Sequence, residues 1–213
     1  MKVDYSVYLC TNRDVINERD LPECVEEAIL GGVGIVQIRE KNVEKEEFIK
    51  VVSDVMKVTK KHSIPLIIND QVDIAIETNA DGVHLGQSDM PCRLAREKLG
   101  KDKIIGITIT NLEEATKAKE EGADYLGVGA MFKSSMKPEA SLVSFEELKK
   151  IRDNIDLPIV VIGGININTI TKFKGIQPLG YAMIKSILCS DNIVDNTKKI
   201  KKLVNSNNKI NSY

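Results

Sequence analysis

Leu66-Ile67-Ile68-Asn69-Asp70, followed after a short mixed segment by Ala80-Asp81-Gly82-Val83-His84-Leu85-Gly86-Gln87-Ser88-Asp89, decides how the whole chain reads. Each stretch carries an apolar run too short for a helix that passes into polar residues and an aspartate, the pattern of a buried parallel strand ending in a loop. Strands lying side by side would bring Asp70 and Asp89 to one rim. Two carboxylates there suit a hydrated Mg2+ that also takes substrate phosphate oxygens, because magnesium commonly accepts only one or two protein carboxylates. Each aspartate equally suits a helix N-cap, Asp70 ahead of Gln71 and Asp89 ahead of Pro91.

Outward from this pair, similar β-rich runs occur at Ser6 to Cys10, Gly34 to Ile38, Ile104 to Ile109, Tyr125 to Ala130, Pro158 to Ile162 and Gly180 to Ile184. Between the runs lie segments of helical periodicity, including Leu21 to Leu30, Lys45 to Lys60, Glu113 to Glu121, Phe145 to Arg152 and Ile193 to Leu203. Eight strand-helix units predict an α/β fold, a single-domain (β/α)8 TIM barrel, with a doubly wound open sheet as the runner-up. Asn111-Leu112-Glu113-Glu114 and Ser144-Phe145-Glu146-Glu147 read as capping boxes, and Gly31-Gly32, Gly100 and Gly122 fall where helices should stop. The barrel is expected over residues 1–205. Residues 206–213 are polar and are expected to form a disordered tail.

Thirty Lys+Arg against 31 Asp+Glu give a net charge of -1, so no bulk field draws the chain to nucleic acid or a membrane. Four scattered cysteines without C-x-x-C spacing indicate neither a zinc site nor a disulfide framework, and read as reduced thiols of a cytoplasmic protein. No segment has the length of a signal peptide's apolar core or of a spanning helix. The absence of Trp argues against a base-stacking surface.

In a (β/α)8 barrel the chemistry sits where strands run into the following loops. The second run ends Gln37-Ile38-Arg39-Glu40-Lys41, and alternation puts Gln37, Arg39 and Lys41 on one side, suited to a polyanion or to plain salt bridges at the mouth. Thr108 lies near the end of the fifth run. The sixth leads into Lys133-Ser134-Ser135-Met136-Lys137, whose hydroxyls, lysines and backbone N–H groups suit phosphate oxygens or solvent. Gly163-Gly164 and the Ile184-Lys185 region follow runs seven and eight, a frequent phosphate site in this fold. His84 reads as a structural histidine, and His62 as a surface one.

Gln37-x-Arg39-x-Lys41, Asn69-Asp70, Asp81 to Asp89 and Ile162-Gly163-Gly164-Ile165 together resemble the thiamine-phosphate synthase family, over about Tyr8 to Ile187. That family joins a hydroxymethylpyrimidine diphosphate to a thiazole phosphate, releasing pyrophosphate. The resemblance implies that Asp70 and Asp89 bind Mg2+, that Gln37, Ile38, Arg39, Glu40, Lys41, Asn69, Thr108 and Lys137 hold the pyrimidine diphosphate, and that Ser134, Ser135, Met136, Gly164, Ile184 and Lys185 hold the thiazole phosphate. Arg39, Lys41 and Lys137 would stabilise the leaving anion. The chain departs from the family at Thr108 and Lys185, where Ser is common, and at Met136, where Thr is usual. The implied partners are small phosphate and diphosphate substrates, and a homo-oligomer is compatible with them. Two other readings stand beside this one. A thiazole tautomerase of the same fold would carry a histidine at Thr110, and a non-catalytic precursor-binding protein would bind without turnover.

Overall fold

Val and Ile dominate the apolar runs, and β-branched side chains suit strands covered on both faces. The computed structural model describes residues 3–136, 138–176 and 178–209. In it the runs are β1 (Val7–Cys10), β2 (Ile35–Ile38), β3 (Leu66–Asn69), β4 (Gly82–Leu85), β5 (Ile104–Ile109), β6 (Tyr125–Val128), β7 (Ile159–Val161) and β8 (Gly180–Met183). They pair in parallel in chain order, and β8 returns to β1 with Val7, Tyr8 and Leu9 opposite Tyr181, Ala182 and Met183. The molecule is therefore a closed (β/α)8 barrel of one domain, and the open-sheet alternative falls.

The helices are α1 (Leu21–Leu30), α2 (Lys45–Lys61), α3 (Val72–Thr78), α4 (Cys92–Leu99), α5 (Leu112–Glu120), α6 (Phe145–Asn154), α7 (Ile167–Ile170), α8 (Lys185–Leu188) and α9 (Ile193–Lys209). Alternation along the strands separates two buried layers. Val36, Ile38, Leu66, Ile68, Val83 and Leu85 belong to the large cluster between strands and helices. Tyr8, Cys10, Ile35, Ile67, Tyr125, Val160 and Ala182 form the smaller cluster inside the barrel. On α2 the stripe Phe48, Val52, Val55, Met56 and Thr59 is buried. Each large apolar side chain so covered is worth about 1.5–3 kcal/mol. Among the described residues, no helix is long and apolar enough to cross a membrane.

Two local expectations are corrected. The capping boxes are half formed: Asn111 accepts from Glu114 N at 2.9 Å and Ser144 from Glu147 N at 3.1 Å. The reciprocal bonds are missing because Glu114 turns to Thr110 N, and Glu147 to Leu112 N on the neighbouring helix. The expected tail beginning at residue 206 is also wrong where it is described, since α9 runs to Lys209. Ile193, Thr197, Ile200 and Val204 are fully buried at alternating four- and three-residue spacing, and Asn207 extends that stripe, 3% exposed. Its Nδ2 donates to Tyr181 Oη at 2.8 Å, which satisfies two buried polar groups at once. Residues 210–213 lie outside the described residues.

Candidate active site

The carboxyl ends of β3 and β4 form an acidic corner. Asp70 adopts a left-handed conformation (φ 62°), fixed by hydrogen bonds from its N–H to His84 O and from Gln71 N to Asn69 O. Such a non-glycine conformation costs about 1–3 kcal/mol and persists where the surroundings impose it. Asp89 closes the following turn, its Oδ2 accepting from Gly86 N at 2.6 Å. Neither aspartate caps a helix, because α3 is preceded by Gln71 and α4 by Pro91, each without a side-chain cap bond. The cap reading therefore fails for both. Burial and then the adjoining Asp70 carboxylate push the Asp89 carboxyl above its ordinary range. Two carboxylates in contact repel unless a cation or a proton intervenes, and Lys41 Nζ reaches Asp70 Oδ2 at 2.6 Å. Among the described residues no cluster of three or more His, Cys, Asp or Glu is arranged to hold a metal. An all-oxygen pair fits Mg2+, which takes its remaining ligands from water and substrate.

The end of β2 supplies the cations. The Arg39 backbone N–H donates to Thr11 Oγ1 at 3.2 Å, and among the described residues its guanidinium is in no ion pair. Glu40 is held by Arg13 at 2.8 Å through Oε2, with Oε1 buried and, among the described residues, lacking a donor. Ile38 is fully buried in the layer facing the helices. The structure thus gathers Gln37, Arg39, Lys41, Asn69, Asp70 and Asp89 at one side of the mouth. It turns the Ile38 side chain into the core and ties Glu40 to the segment after β1.

Beneath this rim a continuous run of hydrogen bonds crosses the barrel interior. Gln37 Nε2 donates to Tyr8 Oη, Tyr8 Oη meets Tyr125 Oη, Tyr125 Oη meets His84 Nδ1, and His84 Nε2 meets Thr108 Oγ1, every step 2.8 Å. Burial pushes the His84 imidazole down to about 4, against the opposing pull of Asp70, so the ring is neutral near pH 7. That fits a structural histidine. Tyr8 and Tyr125 were not marked as site residues by sequence reasoning. Gly106 and Gly127 carried the signal: a Cβ at Gly106 would lie 2.1 Å from Tyr125 Cζ, and one at Gly127 2.9 Å from His84 Cε1. Glycine inside two adjacent strands marks the space that these rings occupy.

On the far side, loops after β6, β7 and β8 meet. Lys185 Nζ donates to Ser135 Oγ at 2.8 Å, and Met136 N donates to Ser134 Oγ at 3.2 Å. Gly164 has φ +65°, and a Cβ there would press on Phe132 Cβ at 2.7 Å, so both backbone conformation and packing call for glycine. Asn166 Nδ2 and Thr169 Oγ1 both donate to Gly164 O at 3.1 Å and brace the turn. Ser134, Ser135, Met136, Gly164, Ile184 and Lys185 are thereby assembled from three loops. Lys137 lies outside the described residues.

A family model described as thiamine monophosphate synthase matches residues 7–187. The thiamine-phosphate synthase of Clostridium botulinum is 46% identical over 200 residues, covering 94% of this chain and 94% of that protein. Its counterpart in Clostridium acetobutylicum is 48% identical over 205 residues, covering 96% and 97%. Among solved structures, thiamine phosphate pyrophosphorylase from Pyrococcus furiosus matches with a TM-score of 0.87 at 31% identity, over 96% of this chain and 97% of that one.

Proposed function

The chain belongs to the thiamine-phosphate synthase family, and from that premise we propose that its barrel mouth joins 4-amino-2-methyl-5-hydroxymethylpyrimidine diphosphate to 4-methyl-5-(2-phosphoethyl)thiazole or its carboxylate. The bond between the pyrimidine methylene carbon and the diphosphate oxygen breaks with its electron pair leaving on pyrophosphate. The lone pair of the thiazole nitrogen forms the new C–N bond, giving thiamine phosphate; from the thiazole carboxylate, the C–CO2 bond also breaks and CO2 leaves, with a proton taking its place on the ring carbon. An electron-rich aminopyrimidine supports positive charge on that carbon, so the protein needs no nucleophile and acts through leaving-group stabilisation and alignment.

The observation that supports this reading is the acidic corner of Asp70 and Asp89 with Lys41 against it, two residues beyond Arg39 at the end of β2. Asp70 and Asp89 would hold Mg2+, which when bound would neutralise charge on the diphosphate. Arg39 and Lys41, joined by Lys137, would bind the diphosphate oxygens, while Gln37, Asn69 and Thr108 orient the pyrimidine. Ser134, Ser135, Gly164 and Lys185 would hold the thiazole phosphate. Thr110, where the tautomerase has its histidine, donates its hydroxyl to Glu114 at 3.0 Å and offers no base.

Mass spectrometry after mixing the protein with both precursors, with and without Mg2+, tests the reading. Thiamine phosphate and pyrophosphate are expected only when both precursors and the metal are present. Isomerisation of the thiazole alone, or tight binding without product, overturns it.

A further inference from the structure

The interior run from Gln37 to Thr108 constrains its own hydrogens. A tyrosine or threonine hydroxyl carries one hydrogen, and a neutral imidazole carries one on either nitrogen. Gln37 donates to Tyr8, so the Tyr8 hydrogen points to Tyr125, the Tyr125 hydrogen to His84 Nδ1, and the imidazole hydrogen sits on Nε2 and points to Thr108. The Thr108 hydroxyl then donates outward, and Gln37 Oε1 is left to accept. Turning the Gln37 amide reverses every link, puts the imidazole hydrogen on Nδ1 and exchanges donor for acceptor at both ends. Any mixed order leaves two hydrogens facing each other, two lone pairs facing each other with no hydrogen between them, or a hydrogen without an acceptor, in an interior where Tyr8 and Tyr125 are at most 1% exposed.

We propose that Tyr8, Tyr125 and His84 are positioning residues that couple Gln37 to Thr108 across the barrel, so that one end of the run always accepts where the other donates. A pyrimidine distinguishes the two orders, since its ring nitrogens accept and its amino group donates. The amide orientation selects the order in which Gln37 accepts from the ligand and Thr108 donates to it. This rests on the assignment of Gln37 and Thr108 to the pyrimidine. The coupling itself rests only on the four interior hydrogen bonds.

The chain has two histidines, so 15N-labelled histidine NMR reads the His84 tautomer directly. In the unliganded protein His84 is expected to be protonated on Nε2. Gln37→Glu, studied at about pH 8 where a carboxylate is ionised, replaces the donor by an acceptor and should move the proton to Nδ1. The same change on a Tyr125→Phe or Tyr8→Phe background should leave the tautomer unmoved, and either background suffices if the other fails to fold. In steady-state kinetics, Tyr125→Phe and Tyr8→Phe should raise KM for the pyrimidine diphosphate about tenfold and leave KM for the thiazole phosphate unchanged. A tautomer indifferent to Gln37→Glu, or two KM values that rise together, overturns the proposal. A tautomer switch in a protein that makes no thiamine phosphate overturns the assigned reaction and leaves the coupling standing.

Discussion

The two sides of the barrel mouth are built differently. From β2 to β5 polar groups on the strands are tied downward, Gln37 and Thr108 through the interior run, and Gln87 Nε2 in the loop after β4 reaches back to Thr108 O at 2.6 Å. From β6 to β8 they sit on loops, where the exposed Lys185 and Ser135 hold one another and, among the described residues, Met136 bonds within its own turn. Groups fixed by buried neighbours keep the alignment that charge stabilisation needs, whereas loop groups conform to a ligand. The difference matches the tasks: the strand side would hold the departing diphosphate, and the loop side a phosphate far from the reacting bond. Substitutions on the strand side should lower turnover, and those on the loop side should change affinity.

Asp70→Ala gives the largest expected effect, a loss of turnover of about a hundredfold to a thousandfold, the scale of removing a main electrostatic stabiliser. Its melting temperature should fall only by the cost, about 1 kcal/mol, of Ala in the left-handed turn that Asp70 occupies, because Asp70 caps no helix. Normal turnover with a lower melting point would return Asp70 to a structural role. Acid should damage the strand side next. His84 is held down to about 4 in the folded protein, against about 6.5 when unfolded. Above the unfolded value both states are neutral and the fold keeps its full stability. As pH falls from there towards 4 the unfolded chain gains the proton that the fold refuses, costing about 3 kcal/mol. Chemical denaturation across that range checks the loss, and His84→Gln should flatten it.

Arg39→Met keeps much of the side-chain volume and removes the guanidinium. It should lower turnover about tenfold to a hundredfold, the worth of a hydrogen bond to a charged group. An unchanged rate at both limiting and saturating diphosphate would remove Arg39 from the site. Met136→Thr should have the smallest effect and the opposite sign, tightening thiazole phosphate by up to about tenfold while leaving the pyrimidine diphosphate alone. Calorimetric titration with each substrate separates the cases. No gain would mean that Lys185 and Ser135 already satisfy the phosphate, and an equal gain for both would mean that the loop serves the other ligand.

Strand positions and most helix ends were legible in the sequence because each depends on a local pattern, such as β-branched runs and the glycines at 31–32, 100 and 122, whereas closure rested on the count of eight strand-helix units, since the β1–β8 pairing that makes it is non-local. The acidic corner was half legible. Asp70 and Asp89 read equally as caps, and only the left-handed turn at Asp70 and the bond from Gly86 N to Asp89 show otherwise. The capping boxes misled because Glu114 and Glu147 had partners elsewhere that no local rule foresees. The interior run was hidden because Tyr8 and Tyr125 lie 117 residues apart and read as ordinary strand formers. Asn207 was hidden among four polar neighbours, although it falls on the stripe of Thr197, Ile200 and Val204.

Pairing of β1 with β8 also orders events during synthesis. Tyr8 cannot meet Ala182, nor Lys201 its partner Asp4 at 2.6 Å, until β8 and α9 have left the ribosome. The first of the eight strands to emerge is thus among the last to be paired on both sides, since β2 covers one edge early and β8, the eighth strand, the other. While translation continues, that bare edge could recruit a strand from a neighbouring nascent chain.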